Sequence, residues 1–290
     1  MNKTAQFLII FAAFCWGLNG FWARFFSSAG LSFFEFSEVR SLTAAICIFI
    51  ILLVSNRAAL KIKSKDVWLF IFTGGLGYAL CYVCFSYTAT KLTLSATTII
   101  VYTSPYMVMV LSAIIFKERI TLRKFISLII AFTGCVMTIG VIDNADLPAI
   151  GLMSGAATAF LYSLFTIFSK IAMQKYKPIT VTAYSFGVAG IVLLPFCDFN
   201  NIVAALGENI NLEALLVFGL FFTMLPSLCY LKGLEKLEPS RAAIIAFFEP
   251  LTAAAAGIIL YNEMLSAIKI AGMALIFLAL IVLNRKQLST

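Results

Sequence analysis

The sequence predicts an all-α membrane protein of about ten transmembrane helices, built as two inverted five-helix repeats around a central cavity. Three observations predict it: the apolar content, the alternation of charge between loops, and an internal repeat. Of 290 residues, 62% are apolar and only 12% are charged, and the mean hydropathy is +1.03. A soluble domain of this length needs far more charge to cover its surface. The net charge is +8, which would suit a nucleic-acid partner. Its charges instead sit in short clusters between apolar runs, as membrane topology signals do, so a lipid bilayer is expected and nucleic acid is not.

The apolar runs lie near Phe7–Phe26, Phe34–Val54, Val67–Ala89, Leu94–Phe116, Phe125–Ile142, Gly151–Ser169, Ile179–Cys197, Glu213–Leu231, Arg241–Leu260 and Ala267–Asn284. The first is long, lacks a small-residue cleavage pattern and continues into Trp22 and Arg24, so it reads as a span and not as a signal peptide. Short loops leave no room for a separate soluble domain. Basic residues gather after the even-numbered runs, at Arg57–Lys65, Lys117–Lys124, Lys170–Lys177, Lys232–Arg241 and Arg285–Lys286. The alternate loops carry Asp143, Asp146, Asp198 and Glu208, with few positives beyond Lys91 and Lys269. The positive-inside bias therefore predicts a multi-pass protein of the cell membrane with both termini cytoplasmic, which requires an even number of spans.

The repeat has a spacing of about 145 residues: Gly74 matches Gly219, Cys84 Cys229, Lys91-Leu92 Lys236-Leu237, Ser95 Ser240, Pro105 Pro250, Glu118 Glu263 and Lys124 Lys269. With a one-residue shift near the start of each half, Ala13-Phe14 match Ala159-Phe160 and Trp16 matches Tyr162. Apolar matches are cheap in such a chain, but shared Lys, Ser, Pro and Glu in one register are not. The halves are residues 1–145 and 146–290. Five spans is an odd number, so the second half enters the membrane upside down. Lys-Glu-Arg-Ile-Thr at 117–121 has the counterpart Asn-Glu-Met-Leu-Ser at 262–266, which has lost its positives as an outside loop would. Inverted repeats are the architecture of alternating-access carriers, with a solute site between the halves.

Ser95, Pro105 and residues 117–121, together with Pro-Ser-Arg at 239–241, Glu-Pro at 249–250 and Asn-Glu at 262–263, resemble the paired signatures of EamA-type carriers. Arg40 and Trp16-Gly17 add to the resemblance, which covers nearly the whole chain. It implies ten helices around a central cavity and export of small metabolites or amino acids; a homodimer is the protein partner left open. The first span lacks the intramembrane glutamate that proton-coupled small multidrug resistance carriers keep there.

Candidate residues follow from cost and position. Glu249 lies mid-span, where an unpaired carboxylate costs about 2.5 kcal/mol or more, and is read as a solute-contacting or proton-coupling acid, or as a structural hydrogen-bonding group. Arg40 is its natural opposite charge, holding a carboxylate of the solute or of the protein; Glu38 lies nearby but on another helix face. Trp16, Asn19, Tyr78, Tyr82, Tyr102, Tyr162 and Tyr230 suggest an apolar pocket with polar handles, although membrane aromatics also serve packing and interfacial belts. Pro105 and Pro250 each remove a backbone donor and are read as a symmetric hinge pair or as packing kinks. Thr121 and Ser266 read as N-caps, and Glu118 and Glu263 as structural partners at the same junctions. There is no histidine, and seven cysteines lie almost all in apolar runs, so no metal, cofactor or catalytic site is expected. A channel would show a polar stripe through one helix set, and an enzyme clustered acids; the sequence favours a carrier of a small solute over both.

Overall fold

The computed structural model describes residues 2–140, 148–208, 210 and 212–284. Among them are ten helices long and apolar enough to cross a bilayer: Lys3–Ser28, Phe33–Ser55, Ser64–Lys91, Leu94–Ile115, Leu122–Ile139, Ala149–Ala172, Pro178–Phe196, Leu212–Lys236, Pro239–Tyr261 and Ala267–Asn284. They are the first to tenth spans below. Several run about a turn beyond their apolar stretch. The eighth ends at the exposed Lys236, a residue type that can close an apolar helix because its ammonium reaches water. The expected outside loop with Asp143 and Asp146, and the basic pair Arg285 and Lys286, fall outside the described residues.

The helices are not uniform, and their irregularities come in mates about 145 residues apart. The third and eighth spans contain wide π-helical turns at Ile71–Leu80 and Phe218–Met224. The fourth span divides into Leu94–Val101 and Ser104–Ile115, and the ninth into Pro239–Ile245 and Phe248–Tyr261. A proline ring clashes with the carbonyl four residues back. That residue is Val101 for Pro105 and Ala246 for Pro250, which is where the breaks fall. Lys117 and Asn262 both take the left-handed conformation, at φ 56° and 52°. Thr121 and Ser266 cap the fifth and tenth spans, accepting from the Lys124 and Lys269 amides at 3.3 and 3.2 Å.

Packing repeats the pattern. The first span packs on the eighth and ninth, and the sixth on the third and fourth. The second packs on the seventh, the fourth on the ninth, and the fifth on the tenth. The last pair approaches backbone to backbone: a Cβ at Gly134 would lie 2.6 Å from the Gly272 carbonyl oxygen, a distance only glycine permits. One element was not anticipated, a short amphipathic helix at Phe199–Glu208. It buries Ile202 and Ala205 against Phe26, Leu31 and Phe36, and its Asn201 amide donates to the Glu35 carboxylate and the Gly30 carbonyl.

The bundle has two unlike ends. At one, the predicted basic loops come together. Lys175 and Tyr176 hold Asp66, at 2.6 and 2.7 Å, and Thr180 and Tyr184 donate to the Ala59 and Leu60 carbonyls. Gln6 bonds Asn284, so the first and last spans meet at this end too. The opposite end carries Arg24, Lys91, Asp198, Glu263 and Lys269, where Glu263 lies 3.7 Å from Arg24 and 3.2 Å from Lys269.

Candidate functional site

A cavity of about 480 Å³ lies between the first, third, fourth, sixth, eighth and ninth spans, with Arg40 of the second at its side. Its rim includes Arg24, Leu94, Tyr261 and Glu263, all exposed at the less basic end. The opposite end is shut. Lys170 donates to the carbonyls of Leu234, Glu235 and Leu237 at 2.7, 3.0 and 2.9 Å, capping the last turn of the eighth span. Ser240 donates to the Glu118 carboxylate at 2.6 Å, while Lys124 bridges Glu118 and Glu238 at 3.5 and 2.8 Å.

The helix irregularities put side chains into this space. The first span turns slightly at Leu18, between Gly17 and Asn19. A Cβ on Gly17 would sit 2.6 Å from the Glu249 carbonyl oxygen and from Thr252, so glycine is what lets the first and ninth spans touch beside the acid. The break in the ninth span places Glu249 in the first turn of its second piece, half-buried and facing the cavity. Tyr102, at the matching break of the fourth span, lies within hydrogen-bonding reach of it and stacks on Phe247 at 5.6 Å.

Arg40 is 4% exposed. It donates to the Tyr82 hydroxyl at 2.8 Å, its guanidinium faces the rings of Tyr78 and Tyr82 at 5.7 and 5.4 Å, and its Nε has no hydrogen-bond partner. It interacts electrostatically with Glu249, yet no carboxylate lies within ion-pair distance of it among the described residues. Below these charges Trp16 packs on Tyr230 at 5.2 Å, Tyr230 stacks on Phe165, and its hydroxyl shares a 3.0 Å hydrogen bond with Thr166.

The structure thus brings Trp16, Asn19, Tyr78, Tyr82, Tyr102, Tyr162, Tyr230, Glu249, Arg40 and Pro105 to one cavity. Glu38 and Pro250 are not among its lining residues. Glu38 is buried with both carboxylate oxygens unpartnered, and Pro250 is buried behind Glu249. Asn19 also aims a buried, unpartnered Oδ1 at the site. Thr166, Ser227, Phe165 and Phe247 line the cavity and escaped the sequence reading. Two carried a signal there: Ser227 is the repeat mate of Tyr82, and Phe247 that of Tyr102. Phe165 and Thr166 carried none, since a buried Phe or Thr looks like any other helix-packing residue.

The sequence matches the model of the EamA-like transporter family over residues 3–140 and again over 149–285. The chain belongs to that family. It is a multi-pass membrane protein and a secondary-active transporter of small molecules, not an enzyme. An uncharacterized transporter of Archaeoglobus fulgidus is 31% identical over 94% of the chain and 95% of its own length. The transporter YwfM of Bacillus subtilis is 26% identical over 99% and 96%. A solved crystal structure superposes with a TM-score of 0.78, covering 98% of both chains at 13% identity, which supports the fold alone.

Proposed function

We propose that this transporter carries a small zwitterionic organic solute of about amino-acid size, and exports it by alternating access between two inverted repeats, residues 1–145 and 146–290. The observation that carries the solute class is a separated pair of opposite charges. Arg40 is a buried cation with no carboxylate within ion-pair distance among the described residues, and Glu249 is an acid facing the same aromatic-walled space. Burying each charge is costly in an apolar bundle. A solute that presents a carboxylate to Arg40 and an ammonium to Glu249 satisfies both, while its body lies against Trp16, Tyr162 and Tyr230. The mated helix breaks, wide turns and helix pairs support the inverted-repeat reading. The clustered basic loops support a cytoplasmic location for the closed end, so the cavity faces outward in this state. In that cycle Pro105 and Pro250 serve as the hinge pair.

The test is a thermal-melting screen of purified protein against amino acids and their des-amino and des-carboxy analogues, because a bound solute raises the melting temperature. Zwitterions should stabilise, and analogues lacking either charge should not. Arg40→Gln should abolish the carboxylate requirement and Glu249→Gln the ammonium requirement, each without loss of folded protein. Stabilisation by neutral solutes, unchanged in both variants, would sink the assignment.

A further inference from the structure

The closed end is a template for how the open end shuts, and the repeat names the residues. The contact set at the basic end uses Lys170 on carbonyls of Leu234, Glu235 and Leu237, and Glu118 on Ser240. Exchanging the two halves, by 145 residues in either direction or 146 in the first span of each half where Trp16 matches Tyr162, turns Lys170 into Arg24, Glu118 into Glu263 and Ser240 into Ser95. The three carbonyls become those of Ala89, Thr90 and Leu92, around the end of the third span. Every one of these groups is at the open end, and the cation is conserved in kind though not in identity.

We propose that Arg24, Glu263 and Ser95 form the outer gate of this transporter: when the cavity closes to the outside, Arg24 caps the last turn of the third span and Glu263 accepts a hydrogen bond from Ser95. The inference rests on the alternating-access reading above. Local geometry supports the substitution of one end for the other. Lys117 and Asn262 share the left-handed conformation that starts each loop. The Glu118 amide donates to the Ser112 carbonyl and the Glu263 amide to that of Gly257, again 145 residues apart, so both carboxylates are launched from the same turn. Lys124 and Lys269 flank them identically, at 3.5 and 3.2 Å. What differs is the far side. Glu118 has reached the first turn of the ninth span, whereas Glu263 lies 3.7 Å from Arg24, which rests 4.0 Å over the Tyr261 ring. Arg24 and Glu263 are therefore both exposed at the rim and held near each other in the open state. The third span ends in carbonyls with no further helical partner, the feature a cation caps. Arginine suits this end: its five donors can keep Glu263 while reaching the carbonyls.

The experiment uses the full chain with its seven native cysteines replaced, in membranes, and reads three reporters. Ser95→Cys with Glu263→Cys should crosslink through a short bifunctional thiol reagent only when the outside is closed. Glu118→Cys with Ser240→Cys should crosslink when it is open. Ala253→Cys, on the cavity wall, reports which side an impermeant thiol reagent reaches. The expected result is that the two crosslinks are anticorrelated, and that forming the 95–263 link blocks labelling of Ala253→Cys from outside. Arg24→Gln should lower the yield of that link about tenfold, the scale of a lost charged hydrogen bond, and Arg24→Lys should restore it, since lysine does this task at the other end. If Ala253→Cys becomes reactive from each side in turn but the 95–263 link never forms, or Arg24→Gln leaves its yield unchanged, the gate is wrong and alternating access stands. Reactivity from one side only, under every condition, overturns alternating access and the gate with it.

Discussion

Lys124 and Lys269 occupy the same place in the repeat, each next to a glutamate at the start of a span, yet their surroundings differ. The Lys124 and Glu118 side chains are 4% and 8% exposed, and Lys124 also meets Glu238. Those of Lys269 and Glu263 are 23% and 39% exposed. The chemistry is nearly identical and the burial is not. The contrast is what the proposed outer gate requires: one device, engaged at the basic end and disengaged at the other. An asymmetry of state, more than of composition, separates them.

The largest expected effect breaks that comparison directly. Lys124→Met leaves Glu118 buried without its cation and should cost about 3–5 kcal/mol. Lys269→Met, at the wetter end, should cost no more than about 1 kcal/mol. Chemical unfolding or thermal melts in detergent would read both. Equal losses would mean that the ends are not in different states, and a double variant with Glu118→Gln should recover part of the Lys124→Met loss.

A middle-sized effect concerns the paired breaks. Pro105→Ala and Pro250→Ala restore an amide that can bond to Val101 and Ala246 and bridge the broken helix. Transport should fall several-fold in each variant while the amount of folded protein stays near normal. Wild-type flux in both would reduce the prolines to packing kinks and leave the breaks without a mechanical role.

The smallest effect sharpens the symmetry of the loops. A left-handed residue with a Cβ carries a cost of about 1–2 kcal/mol that asparagine partly avoids. Lys117→Asn should therefore stabilise by roughly 0.5–1 kcal/mol, and Asn262→Lys should destabilise by a similar amount. Opposite signs in melting temperature are the readout. Matching signs would show that side-chain contacts, and not the backbone, decide these two turns.

The amino-acid sequence by itself determined the class of this protein and its ten spans, and it supplied the spacing on which the proposed pairing of its halves rests. Those properties are written in composition, charge alternation and spacing, which act locally and survive without coordinates. It also placed eight solute-contact candidates, from Trp16 to Glu249, because polar or amphipathic side chains are expensive in lipid and so mark an interior surface. The breaks themselves were half legible: the prolines announced them, but the π-helical turns in the third and eighth spans carry no residue signature.

Only the tertiary structure decided which groups meet. Arg40 and Glu38 are two positions apart, and packing sends the first to the cavity and buries the second elsewhere. The sequence offered Arg40 a carboxylate of the protein or of the solute. The folded bundle surrounds it with Tyr78 and Tyr82 and keeps Glu249 beyond ion-pair reach. The contacts that close the basic end and the open rim at the other were likewise absent from the sequence, which writes both ends in almost the same letters. Burial is a property of many residues packed at once, so which end is closed is set by the whole bundle and not by the motif found there.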